Sequence, residues 1–146
     1  MKRLHIKACD EIVAASEPWK TLREKIDFGR AITRKQAYAC IRRTSGTSEV
    51  VGFIIFTAEP VFARGGYLRA LGVAPALRGQ GIGGKLMNFA EKAVSRHAAW
   101  FYLCVSSFNR KGQTFYKNRG YTRVGKLPGL AAPDAAEYLY WKQLKS

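Results

Sequence analysis

The chain has 146 residues and a formal net charge of +15, a length that fits one domain with a core of its own. Its 47% apolar and 12% aromatic content argues against disorder. No apolar run reaches the length of a membrane span, and the N-terminus lacks the apolar stretch of a signal peptide, so no membrane partner is expected. The three cysteines, Cys9, Cys40 and Cys104, have no metal-ligand spacing. An odd count without a secretion signal fits reduced thiols in a cytoplasm. The basic residues are scattered, with pairs at Arg42-Arg43 and Arg110-Lys111 but no long block. A solvated surface that attracts an anionic cofactor is therefore favoured over a nucleic-acid interface, which stays open as a partner.

In chain order, residues 3–7 read as a short strand, and Asp10 is placed to cap a helix through Ile12, Val13 and Ala15. Pro18 suits the first position of a second helix running to about Phe28. Residues 36–43 and 49–57 read as strands of a hairpin joined by Ser45-Gly46-Thr47-Ser48, with Glu59-Pro60 ending the second. Gly65-Gly66 precede a strand over 67–73, giving three antiparallel strands in succession. Beyond a glycine-rich segment, Ile82, Leu86, Phe89, Ala90, Ala93 and Val94 paint one face of a helix, with Asn88, Glu91, Lys92 and Ser95 opposite. The apolar run over 100–105 fits a buried central strand with Cys104 in the core. A helix over 110–119 stops at Gly120. Residues 121–124 and 137–144 read as two strands around a Leu127-Pro128-Gly129 loop. The sum is a mixed α/β layer fold around one sheet.

Residues 73–85, Val-Ala-Pro-Ala-Leu-Arg-Gly-Gln-Gly-Ile-Gly-Gly-Lys, carry most of the chemistry. Four glycines occupy six positions (Gly79, Gly81, Gly83, Gly84), with Arg78 before them and Lys85 after. A helix N-terminus leaves backbone N–H groups unpaired and partially positive, and glycines remove the side chains that would keep a phosphate away. A dinucleotide fingerprint is formally matched by Gly79, Gly81 and Gly84. It fails because five residues separate the strand from Gly79, and because no carboxylate lies between Glu91 and Asp134 to hold a ribose roughly 20 positions on. A P-loop fits through Gly84-Lys85, but Leu86 stands where the magnesium-binding hydroxyl must be.

The remaining device is the pyrophosphate loop of acyl-CoA-dependent N-acetyltransferases. Leu71-Gly72-Val73-Ala74-Pro75 followed by Arg78-Gly79-Gln80-Gly81-Ile82-Gly83 resembles the GNAT superfamily pattern of apolar-x-Val-x-Pro and then Arg/Gln-x-x-Gly-x-Gly/Ala. A second stretch, Asn109 through Phe115-Tyr116 to Gly120-Tyr121, is similar to the superfamily's Asn-x-x-Ala-x-x-Phe-Tyr-x-x-x-Gly-Phe/Tyr, with Gly112 in place of the alanine.

That resemblance implies an α/β (α+β) fold over residues 1–146 as one domain, with a largely antiparallel central sheet flanked by about four helices. It implies an enzyme that moves an acetyl group from acetyl-CoA to a primary amine, on a small molecule or a peptide, by direct attack and without a metal. The pantetheine arm of the donor would lie along Leu71, Gly72 and Val73, where Gly72 marks either a close backbone approach or a packing glycine. Backbone amides of Arg78, Gly79, Gln80, Gly81, Ile82, Gly83 and Gly84 would hold the pyrophosphate, each charge-assisted bond contributing on the order of 1.5–3 kcal/mol. Arg78 could contact phosphate or close the loop. Asn109 would bond the pantetheine or cap the following helix. Tyr116 would protonate the leaving sulfur, or merely pair with Phe115.

An acceptor amine with a pKa of about 10.4 needs a base, and the 67–73 strand has no carboxylate. Glu59, Glu17, Asp134 or a water chain remain, with His5 and His97 equally unproven. The acceptor pocket is expected from the first two helices and the 127–134 loop, with Trp19 as a wall and Ser106, Ser107 and Phe108 nearby. Two alternatives stand beside the enzyme: a CoA-binding sensor without catalysis, and a basic RNA- or ribosome-associated module. A homodimer is left open.

Overall fold

A computed structural model of the chain describes residues 1–62 and 64–144. A 3-10 turn (Arg3–His5) leads into helices α1 (Ile6–Ala14), α2 (Trp19–Leu22) and α3 (Phe28–Thr33). Strands β1 (Ala37–Thr44), β2 (Thr47–Phe62) and β3 (Gly65–Val73) follow, then a 3-10 turn (Pro75–Leu77) and α4 (Ile82–Val94). The chain ends with β4 (Trp100–Ser106), α5 (Arg110–Asn118), β5 (Thr122–Pro128) and β6 (Ala136–Gln143). The strands form one sheet in the order β1-β2-β3-β4-β6-β5. The β1/β2, β4/β6 and β5/β6 pairs are antiparallel. The β3/β4 pair is parallel, registered from Gly65↔Trp100 to Leu68↔Leu103, with α4 as the crossover that a parallel pair requires. The expected mixed, largely antiparallel sheet is thus present.

The chain divides into two compact units, Met1–Phe56 with Arg69–Lys92, and Thr57–Leu68 with Ala93–Ser146. In the first, Cys9, Ile12 and Val13 of α1 and Phe28 and Ala31 of α3 pack on Ala37, Phe53, Ile55 and Ala70 of the strands. Phe53 is the centre, edge-on to Phe28 at 5.0 Å and tilted against Trp19 at 5.9 Å, geometries that suit the ring quadrupole. Leu86, Met87 and Ala90 of α4 are buried in the same unit. In the second unit Phe101, Leu103 and Val105 alternate along β4 as buried residues, and Phe101 meets Tyr121 at 6.5 Å. Trp100, Tyr102, Cys104 and Ser106 occupy the other face, where Trp100 stacks on Trp141 at 4.2 Å.

Several expectations are corrected. Residues 3–7 are a 3-10 turn and the start of α1, because Ile6, Cys9, Ile12 and Val13 recur at helical spacing and bury against the sheet, while Leu4 is left 76% exposed. Asp10 therefore lies inside α1, not at its cap. The second helix is broken in two: Arg23 ends α2 in the left-handed region (φ 53°), and Asp27 starts α3 by accepting from the Arg30 N–H at 2.8 Å. Glu59-Pro60 lies inside β2. Its registered ladder with β1 ends at Ile55, so a missing N–H at Pro60 need cost no bond to that neighbour. The hairpin turn is only Ser45-Gly46, with Gly46 at φ 82°. Phe89 is 46% exposed and packs at the helix margin against Tyr38 at 4.9 Å, whereas Met87 is fully buried. Leu127 and Pro128 belong to β5, not to a loop. Cys104 is only half-buried.

Among the described residues no helix is long and apolar enough to cross a membrane. Cys9 is fully buried and its thiol is pushed up to about 12 by that burial, with the Asp10 charge adding to the effect. The folded state therefore binds this proton more tightly than the unfolded one, and the associated stability is complete below the ordinary thiol range and lost as pH climbs toward about 12. Urea midpoints measured from pH 8 to 11 should fall with pH, and less steeply in Cys9→Ala. In the native protein Cys9 should resist alkylation at pH 8.

Candidate active site

The glycine segment lies in the first unit, between the end of β3 and the start of α4. Gly79 (φ 76°) and Gly81 (φ 80°) take left-handed backbone conformations that side chains disfavour, and a Cβ at either would meet nothing within 4 Å. Glycine is needed there for the path of the chain, and the space beside it is open. The Lys85 N–H donates to Gly81 O at 3.0 Å, so the helical ladder begins at the loop's last bend. The earlier N–H groups of the first turn have no intrahelical acceptor. No acidic residue occupies that turn, which leaves the positive end of the helix dipole uncompensated. Ile82, Gly83 and Gly84 are half-buried, while Gln80 and Lys85 are exposed.

Arg78 is exposed, and its guanidinium bonds protein atoms. Its Nε donates to Val73 O at 3.3 Å, and its Nη2 donates to Ser16 Oγ at 2.7 Å and Ala15 O at 3.4 Å. These bonds close the loop. The guanidinium spans the end of β3 and the end of α1, and the Ser16 hydroxyl in turn donates to Ile12 O.

Along β3, Leu71 and Val73 are half-buried and Gly72 is buried. A Cβ on Gly72 would lie 2.5 Å from Phe53 Cε1 and 2.9 Å from Ile12 Cγ2. Core packing alone requires glycine at that position. The register with β4 ends at Leu68, and β3 runs on through these residues to Val73. A cavity of about 510 Å³ in this unit is bordered by Leu4, His5, Glu11, Val50, Ala74 and Pro75; it includes His5, one of the residues considered as a base, and none of the predicted donor-binding residues.

In the second unit Asn109 caps α5: its Oδ1 accepts from the Gly112 N–H at 3.0 Å. A Cβ on residue 112 would come within 2.8 Å of Asn109 Nδ2, so the glycine that departs from the superfamily alanine makes room for this cap. Tyr116, about two helical turns beyond Asn109, lies edge-on to Phe115 at 5.1 Å and Tyr121 at 5.8 Å. Burial raises the pKa of its hydroxyl, opposed in part by the Arg119 charge. The phenol is therefore neutral throughout the physiological range, a state that can donate a proton.

The carboxylates considered as bases lie at the surface. Glu59 is exposed and meets His97 Nδ1 at 3.3 Å. Glu17 accepts from Thr21 N and Oγ1 at 3.3 and 2.9 Å, and Asp134 is exposed. Trp19 packs partly against the core of the first unit. Sequence reasoning missed Glu137, a buried carboxylate on β6 that accepts from the Ser106 hydroxyl. Its signal was a lone acidic residue inside the run Ala-Ala-Glu-Tyr-Leu-Tyr-Trp.

Residues 5–121 match the family model described as Acetyltransferase (GNAT) family. Among solved structures, a NatC complex bound to Gag peptide and CoA is similar at 22% identity and a TM-score of 0.79, over 99% of this chain and 93% of that one. The aminoglycoside 6'-N-acetyltransferase from Enterococcus faecium aligns at 19% identity and a TM-score of 0.77, over 100% and 96%. Ard1 from Thermoplasma volcanium aligns at 20% identity and a TM-score of 0.76, over 100% and 95%. At these identities the likeness is one of fold.

The packing around Gly72 makes a direct prediction. Gly72→Ala should destabilise the protein by about 1–3 kcal/mol through overpacking against Phe53. Pairing it with Phe53→Leu should recover part of that loss in urea denaturation.

Proposed function

Because the chain belongs to the acetyltransferase (GNAT) family, we propose that it transfers an acetyl group from acetyl-CoA to a primary amine by direct attack, with Tyr116 as general acid. The observation that carries this reading is the glycine loop at the N-terminus of α4, held by Arg78 and free of acidic side chains. Its backbone donors and the helix dipole suit a pyrophosphate, and no metal is needed to neutralise it. The donor's pantetheine amides would bond the backbone of Leu71, Gly72 and Val73, beyond the last registered pair of β3 with β4. Asn109, with its Oδ1 engaged by the α5 cap, would offer Nδ2 to the same arm.

The lone pair of a neutral amine attacks the thioester carbonyl carbon. The carbonyl oxygen becomes an oxyanion, for which a backbone N–H near Val73 is the expected donor. When the C–S bond breaks, the Tyr116 hydroxyl gives its proton to the sulfur.

The acceptor is an amine of a small molecule or a peptide. The NatC structure holds a peptide and the Enterococcus enzyme is named for aminoglycosides, and the same site chemistry serves either. The basic surface, +15 over the chain, draws in the anionic donor.

Titration calorimetry should detect acetyl-CoA binding to the wild type, and its absence would sink the reading. Release of CoA thiol should follow addition of kanamycin, spermidine or an alanyl tetrapeptide. Tyr116→Phe should lower kcat by about 10²-fold or more while leaving the acetyl-CoA Kd within a few-fold. Arg78→Ala should do the reverse, raising that Kd about tenfold, as expected for about 1.4 kcal/mol of lost loop order, with a smaller change in kcat.

A further inference from the structure

No carboxylate occurs between Glu91 and Asp134, while lysines and arginines recur through that stretch, which includes α5 and the edge strand β5. The pairing of β5 with β6 slips between Arg123 and Gly125, so Val124 has no partner in the ladder. Side chains of a regular strand alternate, and residues three apart would face opposite ways. The extra residue cancels that alternation. Arg123 pairs with Tyr140 and Lys126 with Tyr138, so both share the face of Tyr138, Tyr140 and Lys142. Lys142 pairs with Phe101, which meets Tyr121, and Tyr121 meets Tyr116, so α5 lies on this same side. Glu137 and its pairing partners Ser106 and Leu127 belong to the opposite face.

Cations and rings are interleaved on the α5 side. The Arg123 guanidinium lies 3.4 Å from the centre of the Tyr138 ring, and Lys142 Nζ lies 5.5 Å from that of Tyr121. The Arg119 guanidinium of α5 lies 5.9 Å from the centre of Phe115. All three are within reach of cation–π attraction. At its short distance the Arg123 group is stacked flat, and because Arg123 is exposed its outer face is open. Lys126 is exposed as well, and among the described residues no carboxylate pairs with it or with Arg123. A lysine and a bulge also keep an edge strand from pairing with another chain. That role needs no ring beneath Arg123 and no acid-free surroundings.

From this geometry we propose that the α5 side of β5 and β6 binds single-stranded nucleic acid, with a base stacked on Arg123 and phosphates at Lys126, Lys142 and Arg119. A guanidinium held flat on a ring presents a second flat face, and an unpaired base stacks on such a face. Tyr138 orders the Arg123 side chain beforehand, which lowers the entropy lost on binding. A duplex keeps its bases stacked inside and cannot use that face. A polyglutamate chain meets the same charges but has no ring to lay on Arg123. Binding here is independent of acetyl transfer, since none of these residues belongs to the proposed donor site.

Fluorescence anisotropy with the full chain and a labelled oligouridylate or oligothymidylate of about twelve nucleotides tests it. The Kd should be about 1–100 µM at about 100 mM salt. Log K should fall against log salt with a slope of about −2, as roughly three phosphate contacts on a single strand require. Binding of either strand supports the assignment, and their ratio identifies the preferred sugar. Arg123→Lys keeps the charge but loses the plane, so it should weaken binding about five- to tenfold with the slope unchanged. Lys126→Ala should weaken binding and make the slope shallower by about 0.7. Both side chains are exposed, so the two variants should keep the wild-type urea midpoint. Lys25→Ala, an exposed change in the first unit, should leave the Kd within about twofold. If neither strand binds, or a duplex or polyglutamate binds as tightly as the single strands, or Arg123→Lys has no effect, the assignment is overturned while acetyl transfer stands. If Lys25→Ala costs as much as Lys126→Ala, the attraction belongs to the whole basic chain and the assignment to this face is overturned.

Discussion

The guanidinium of Arg78 holds the first unit's site in shape. It reaches the carbonyl of Val73 at the end of β3 and the hydroxyl of Ser16 at the end of α1, so one side chain fixes where a strand stops and where a glycine loop begins. Gly79 and Gly81 then turn the chain through left-handed conformations, and α4 starts at Ile82. Without the clamp those glycines would leave the loop more conformational freedom, since glycine gives up more of it on ordering than any other residue. The proposed anion site, built from backbone donors, depends on those donors being aimed in advance.

The second unit is organised by a different device. Hydrogen bonds at the end of β4 gather β6 and α5 around Ser106 and Ser107. The corner buries a carboxylate, which is costly unless it is hydrogen-bonded, and the Ser106 hydroxyl supplies such a bond. Tyr116, half-buried overall, is instead set by ring contacts with Phe115 and Tyr121, and desolvation of its hydroxyl keeps its proton on. Two groups of opposite chemical character therefore come from two kinds of packing, one polar and one apolar.

The elements that could be read from the chain are those whose pattern is local. The 3.6-residue spacing through Leu86, Ala90 and Val94, the apolar run of β4, and the hairpin glycine at 46 each carry their own signal. Where the pattern was ambiguous, packing decided. Leu4 and Ile6 alternate well enough for a strand, but burial of Ile6, Cys9 and Ile12 against the sheet makes a helix. A continuous amphipathic stretch after Pro18 is interrupted because Asp27 caps a fresh helix that brings Phe28 onto Phe53. Gly72 could be a cofactor approach or a packing glycine by sequence, and only Phe53 and Ile12 reveal the packing requirement.

The sequence by itself determined the family and singled out the glycine-rich segment, because glycine at fixed positions, an arginine before it and the Asn109–Tyr116 spacing are properties of a continuous stretch of chain. Tertiary structure alone decided that Arg78 bonds protein atoms, that Asn109 caps a helix, and that Glu137 rather than Glu17, Glu59 or Asp134 is the buried acid. The reason is that burial and hydrogen-bond partnership join residues tens of positions apart in the chain. Arg78 meets Ser16 and Ser106 meets Glu137 only once the strands and helices have packed.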